Sequence, residues 1–183
     1  MTQQRERAMN RRINLGLALS AVCFLVAVQV SSLYGQGNNG QNNGQSEVQR
    51  GFDIAPVLLD LAGKNRSLVG LGSYYVNGVS DCVGCHTSDM GEYLGGGDQF
   101  GPVFSRNLTP DAAGRPAGLT LEQFKEVLQF GTDFKGIDPP GPLIVMPWPS
   151  YRHGTERWME AIYEYLRAIP CVEGGPGNDA PRC

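Results

Sequence analysis

Cys82-Val83-Gly84-Cys85-His86 is the stretch of this chain whose residue types and spacing speak most directly of chemistry. Two cysteines three positions apart, with a histidine directly after the second, form the attachment pattern of a c-type haem. Each thiol can add across one of the two porphyrin vinyl groups, and two intervening residues let both sulfurs reach one edge of the ring. His86 then lies under the ring as an iron ligand. Such a centre carries single electrons. A bare Cys-x-x-Cys also fits a redox dithiol or half of a zinc site. A structural zinc site needs two further ligands, and the other candidates are Cys23, Cys171, Cys183 and His153. Cys23 lies in an apolar segment, and the last two cysteines have a better use, given below. A thioredoxin-like dithiol needs a βαβ context that the Gly- and Pro-rich surroundings do not suggest.

An electron carrier needs its iron closed on both faces, whereas a haem enzyme leaves one open. Met1 and Met9 precede the apolar segment, Met90 follows His86 too closely to reach the opposite face, and Met159 falls in a helical pattern with a packing role. Met146 stands in Leu143-Ile144-Val145-Met146-Pro147-Trp148, just before the last helix. Pro147 removes a backbone donor and stiffens the approach of the sulfur. His86 and Met146 are therefore the expected axial ligands, with Cys82 and Cys85 holding one haem c covalently. Met146 as gap-filling core and a bis-His iron through His153 are the alternatives. His/Met ligation raises the potential relative to bis-His. Ile144, Val145 and Trp148 are expected to exclude water on the methionine side, with plain core or surface packing as the alternative for Trp148 and Tyr151, and the edge beside Cys82 and Cys85 is the expected electron exit.

The elements that position these residues read as helices. Ser67 to about Asn77 carries Leu68, Leu71, Tyr74 and Tyr75 at spacings of three and four. Gly70 and Gly72 lower its helix propensity and point to close approach of another backbone. Leu121 to Phe130 opens on a Thr120/Gln123 capping box and ends at Gly131. Glu156 to Ala168 places Trp158, Ala161, Ile162, Tyr165 and Leu166 on one side, with Thr155 as cap and Pro170 just beyond. Asp53 to Leu61 reads as a further short helix with Pro56 in its first turn. Residues 91 to 118 and 132 to 150 are long Gly/Pro stretches, suited to wrapping a large cofactor. No alternating strand pattern of useful length occurs, so the expected class is all-α.

The chain has 183 residues and opens with Arg5, Arg7, Arg11 and Arg12, followed by the apolar run Ile13 to Val30. A basic start before an apolar run reads as a signal peptide or a membrane signal-anchor within residues 1 to 34. The run is long enough to span a bilayer, and no Ala-x-Ala cleavage site appears. An anchor is the favoured reading, with the arginines inside and the rest exported. Residues 35 to 50 are Gly-, Asn- and Gln-rich and read as a flexible tether. Residues 51 to 183 suffice for one compact domain. From residue 35 onward the net charge is −6, the whole-chain −3 less four arginines and Glu6. That acidity speaks against nucleic-acid binding. Cys171 and Cys183 bracket a Gly/Pro-rich tail, and in an oxidising compartment their pairing would tie it down, worth about 3 kcal/mol in the chain-entropy model.

Over residues 67 to 169 the chain resembles a class I cytochrome c: a Gly- and aromatic-bearing helix, CxxCH, a distal Met loop and an aromatic C-terminal helix. More narrowly it is similar to cytochrome c subunits and domains of bacterial periplasmic dehydrogenases, through SYYVNGVSDCVGCHT, SRNLTPD, TLEQFKEVLQFG, MPWPSY and IYEYLRAIP. The resemblance implies three to five helices wrapped around one covalent haem, preceded by an N-terminal apolar helix. It implies that Gly70 or Gly72 with Tyr74 or Tyr75 packs against Ile162 and Tyr165. It also implies a backbone carbonyl orienting the haem histidine, for which Pro102 or Pro110 could serve. Those subunits often carry three such domains, whereas one CxxCH occurs here, which suggests a single-haem partner. Asn107-Leu108-Thr109 matches a glycosylation sequon but reads in this setting as a loop turn.

The leading functional reading is a monohaem electron carrier in the bacterial periplasm, anchored at the inner membrane or soluble after signal cleavage. It would link a dehydrogenase or quinol oxidoreductase to a terminal oxidase or another cytochrome. No paired carboxylates, nucleophile–base set or phosphate loop argues for catalysis. A haem enzyme or gas sensor with an open sixth position is the alternative, with Arg152 and His153 as its distal candidates. A dithiol or metal-binding module is the third.

Overall fold

The computed structural model describes residues 42–88, 92–135, 142–173 and 183. The apolar N-terminal segment with Cys23, the first part of the predicted tether, Met90 and the interior of the C-terminal tail lie outside the described residues. Among the described residues six helices occur in chain order: α1 (Asn42–Ile54), α2 (Arg66–Tyr74), α3 (Cys82–His86), α4 (Leu121–Phe130), α5 (Trp148–Tyr151) and α6 (Glu156–Ala168). A π-helical turn, Tyr75–Val79, prolongs α2. The only sheet among the described residues is a ribbon of two-residue strands, β1 (Gln99–Phe100) and β2 (Val103–Phe104), antiparallel with Gln99 opposite Phe104. The structure is thus mostly helical, as expected. Among the described residues no helix is long and apolar enough to cross a membrane.

Local signals set the helix ends. Asn65 caps α2 by accepting from the Ser67 and Leu68 amides. Thr120 and Gln123 form the reciprocal capping box of α4, which stops at Gly131 in the left-handed conformation (φ 70°). Thr155 caps α6 through the Trp158 amide. The helix read over Asp53 to Leu61 does not form. Ile54 instead ends α1, because Ala55 precedes Pro56 and a residue before proline is driven out of the α region.

Helix α1 also corrects the tether. It runs across the boundary drawn at residue 51, since its last turns have a surface to bury against. Val48 and Phe52 lie on Gly70 of α2, and a Cβ at Gly51 would fall 1.7 Å from the Gly70 carbonyl oxygen. Arg66 stacks over the Phe52 ring at 4.4 Å. Tertiary packing overrides the weak helix propensity of a Gly/Asn/Gln-rich segment.

The core forms where α2 crosses α6. A Cβ at Gly72 would sit 1.9 Å from the Ala161 carbonyl oxygen, so only glycine lets the backbones meet. Val69, Val76, Met159, Tyr165 and Leu166 are fully buried around that crossing. Tyr75 packs on Trp158, while Tyr165 and Ile162 belong to the same core. Phe124 of α4 meets Tyr163 edge-on at 5.5 Å. A polar chain runs through the seam. Ser73 Oγ donates to the Gly51 carbonyl (2.7 Å), Asn77 Nδ2 donates to Ser73 Oγ (3.0 Å) and Tyr165 Oη (3.1 Å), and Tyr93 joins both Asn77 and Tyr165. Buried polar groups so paired favour one register of the crossing.

Candidate functional site

The Cys-x-x-Cys-His segment is itself one helical turn, α3, so Cys82 and Cys85 lie on the same side three positions apart. The turn is entered through Asp81 in the left-handed conformation (φ 51°). The Asp81 carboxylate lies where a Cβ at Gly84 would stand, 2.7 Å from Oδ1, so a larger residue there would have to turn that side chain aside. Both thiols are free. Burial, and then the neighbouring Asp81 charge, push the Cys82 thiol up to about 12. A redox dithiol works through a thiolate, so this environment disfavours the dithiol reading. Among the described residues no group of three or more His, Cys, Asp or Glu converges on a point.

His86 is fixed from behind. Its Nδ1 lies 2.7 Å from the backbone carbonyl oxygen of Arg106. A carbonyl can only accept, so Nδ1 carries the proton and Nε2 keeps its lone pair for a metal. Burial holds the imidazole pKa below its ordinary value, against the Arg106 bond and the Asp98 charge that raise it. The orienting carbonyl is therefore that of Arg106, not of Pro102 or Pro110. Arg106 is brought there by the parallel bridge Thr87↔Gly96 and by the bond from the Gly96 amide to the His86 carbonyl.

Two cavities flank this turn. One is walled mainly by Cys82, Leu119, Phe124, Met146, Tyr151 and Trp158. The other is walled by Cys85, Phe104, Arg106, Ile144, Val145 and Met146. Met146 lines both. Its loop is clamped onto the end of α4: the Leu143 amide donates to the Gly131 carbonyl (2.7 Å), and Trp148 Nε1 donates to the Leu143 carbonyl (3.1 Å). Trp148 covers Gly131, where a Cβ would be 2.4 Å from Nε1. It thus buttresses the loop rather than lining either cavity. Ile144 and Val145 line the second cavity yet are exposed, at 63% and 44%. Tyr151 and Trp158 supply apolar wall instead, stacked at 5.9 Å. Periodicity assigned Trp158 only to the α6 core face. His153 is exposed on a surface groove that shares Ser80, Tyr151 and Trp158 with the first cavity, but it is not among the residues lining either cavity, and Met159 is wholly buried core.

Donor set and surroundings fit a covalently held haem. Two thiols share one helical face, a neutral imidazole has its tautomer fixed, a thioether stands in the shared wall, and the walls are largely apolar. Nη1 of Arg106 is buried and has no hydrogen-bond partner among the described residues.

The sequon residues are structural. Asn107 and Thr109 are fully buried; Asn107 Nδ2 donates to the Val172 carbonyl (2.9 Å) and the Val172 amide donates to Thr109 Oγ1 (3.1 Å). That pair pins the chain beside Cys171, which is disulfide-bonded to Cys183 with Cα atoms 5.7 Å apart.

Comparison with known proteins points the same way. The chain is 29% identical over 123 residues to the gluconate 2-dehydrogenase cytochrome c subunit of Pantoea cypripedii, covering 64% of this chain and 27% of that one. It is 33% identical over 106 residues to the cytochrome c subunit of the quinone alcohol dehydrogenase of Gluconacetobacter polyoxogenes, covering 55% and 21%. It is 30% identical over 98 residues to the fructose dehydrogenase cytochrome subunit of Gluconobacter japonicus, covering 51% and 20%. No protein-family profile and no solved structure matches the chain. Its homologues are thus cytochrome c subunits of bacterial dehydrogenases, named as cytochrome rather than catalytic subunits. The chain spans about a fifth to a quarter of their length.

Proposed function

We propose that this chain is a single-electron carrier with one haem c bound covalently to Cys82 and Cys85 and ligated axially by His86 and Met146. The observation that carries the reading is the CVGCH helical turn whose histidine gives Nδ1 to a backbone carbonyl, set between two cavities that share Met146. When bound, the haem supplies a reversible Fe(III)/Fe(II) couple. The residues do the rest. Cys82 and Cys85 fix the ring edge, the Arg106 carbonyl keeps His86 in the ligating tautomer, and Gly131 with Trp148 brings the Met146 sulfur forward. Tyr151, Trp158 and Phe124 keep water from the ring face they line. The exposed side of Cys85, beside Phe104, Ile144 and Val145, is the electron exit.

The similarity to dehydrogenase cytochrome subunits supports a dehydrogenase as electron donor. By this reading the carrier works in the periplasm, accepting from a dehydrogenase or quinol oxidoreductase and passing electrons to a terminal oxidase or another cytochrome. The basic, apolar N-terminal segment would hold it at the inner membrane or be cleaved on export.

The deciding experiment is an optical spectrum, oxidised and reduced, of protein made with haem-attachment machinery, repeated on Met146→Ala. A long-wavelength Met-to-iron band in the parent and its loss in the variant support His86/Met146 ligation. A high-spin parent that binds CO readily at neutral pH would turn the reading to a haem enzyme or sensor. Absence of haem after denaturation would overturn it altogether.

A further inference from the structure

His86 is gripped by two arms of one loop. On the first arm the Gly96 amide donates to the His86 carbonyl at 2.8 Å, and on the second the Arg106 carbonyl accepts His86 Nδ1 at 2.7 Å. The Leu108 amide joins the arms by donating to the Leu94 carbonyl at 2.9 Å. Both arms meet Val172, in the chain that follows α6. On the second arm the Val172 carbonyl accepts Asn107 Nδ2 at 2.9 Å, and its amide donates to Thr109 Oγ1 at 3.1 Å. On the first, its side chain lies over Gly95, where a Cβ would stand 3.3 Å from Val172 Cγ1. Asn107 and Thr109 are wholly buried, and Thr109 Oγ1 donates to Asn107 Oδ1 at 2.6 Å, which couples the two side chains. Val172 is anchored on both sides: Ala168 and Ile169 are buried in the core, and Cys171 is bonded to Cys183. A chain end frays unless it is tied down in this way.

We propose that the segment after α6, residues 169–172, is a strap that positions His86: Val172, through Asn107 and Thr109, holds the Arg106 carbonyl against Nδ1, and the Cys171–Cys183 disulfide holds the strap. The proposal rests on the haem reading above. Asn107 and Thr109 follow Arg106 closely in the chain, so a displacement of Val172 passes directly to the accepting carbonyl. Neither they nor Val172 line either cavity, so their effect on the iron runs through His86, as positioning residues. Donation from Nδ1 makes the imidazole a more basic ligand. A more basic axial ligand favours the oxidised iron, which carries the greater positive charge. Loosening the strap therefore weakens that donation and raises the midpoint potential.

The test uses the full chain with haem attached, in the parent, in Thr109→Val, in Thr109→Ser and in the double variant Cys171→Ser/Cys183→Ser. In the reduced protein, NMR follows solvent exchange of the His86 Nδ1 proton beside that of the Met159 and Leu166 amides in the α2–α6 core, and redox titration gives the potential. Thr109→Val keeps the shape of the side chain and removes its hydroxyl. It and the double serine variant are expected to speed exchange of the His86 proton about tenfold relative to the core amides, the effect of losing one hydrogen bond. Both are expected to raise the potential. Thr109→Ser keeps the hydroxyl and is expected to return both readouts to near the parent, a rescue that loss of packing alone would not give. Should Thr109→Val fail to fold, the double serine variant decides the matter alone. His86 exchange that is unchanged or rises only in step with the core amides, or a potential that stays or falls, overturns the proposal. Haem retained by the denatured parent in that case leaves the carrier reading intact; a parent without covalent haem removes both.

Discussion

The imidazole of His86 is held by the main chain of Arg106, Nδ1 to carbonyl oxygen at 2.7 Å, across a separation of twenty residues. The bond asks for no particular side chain at its accepting end. What it requires is a loop whose backbone returns to α3, and that return depends on Gly96 at φ 71°, where a Cβ would be 2.5 Å from the Ser105 carbonyl oxygen. The orientation of the His86 imidazole is therefore a property of the loop's path.

The α2–α6 crossing gives the sharpest stability prediction. Gly72→Ala has to displace the Ala161 carbonyl and is expected to cost about 3 kcal/mol, the upper end for overpacking. Gly63→Ala serves as control: its φ of 66° is unfavourable for alanine but nothing lies within 4 Å, so about 1 kcal/mol is expected. Chemical denaturation of both haem-loaded variants would check this, and equal losses would mean that the helices do not meet at Gly72.

The second prediction concerns the loop that presents Met146. Trp148→Phe removes the bond to the Leu143 carbonyl and part of the cover over Gly131, worth about 1 kcal/mol. The Met-to-iron band should then disappear at lower denaturant while helix unfolding stays near its parent midpoint. Coincident shifts of both transitions would show that the loop and helices melt as one unit.

Asn107 should be intolerant of change. Its side chain donates to Val172 and accepts from the Thr109 amide and hydroxyl, all in the interior. Asn107→Ala strands those partners and should cost about 2 kcal/mol or more in thermal unfolding. Mass spectrometry of the folded parent from a glycosylating host should find no glycan on this side chain.

A pH dependence follows from Asp111. Burial raises its pKa, but bonds from the Arg115 and Ala113 amides and the Arg115 side chain outweigh that and leave it below the ordinary carboxylate value. A carboxyl depressed in the folded state adds stability above its unfolded pKa, and that stability is lost as pH falls through the lower folded pKa. Asp111→Asn should therefore cost about 1 kcal/mol at neutral pH. The gap should close in acid, below the usual carboxylate range. A gap constant down to acid pH would refute the ionic contribution.

Much of the fold was legible because its signals are local. The Thr120/Gln123 box, the Thr155 cap and the Gly131 stop each act within one turn and matched the observed helix ends. The features that escaped are those set at long range. Nothing in the residue type of Arg106 announces that its carbonyl meets His86. Helix α1 was hidden by its Gly/Asn/Gln composition, although Val48 and Phe52, four apart, carried the one periodic hint. The proposed helix over Asp53 to Leu61 failed on a local rule, the restriction that Pro56 places on Ala55. In the site, the apolar wall residue Trp158 was obscured because the one helical pattern of α6 serves core and cavity alike.

The Gly72–Ala161 seam also carries a clock. Chains emerge N-terminus first, and this seam joins two segments with α3 between them. Cys82 and Cys85 therefore emerge before α6 exists to close the crossing, which gives the thiols an interval in which another protein can reach them. Once α6 arrives, Trp158, Ile162 and Leu166 wall the cavity beside a half-buried Cys82 and narrow that access. On the proposed reading the topology would order two events, attachment of the haem first and closure second.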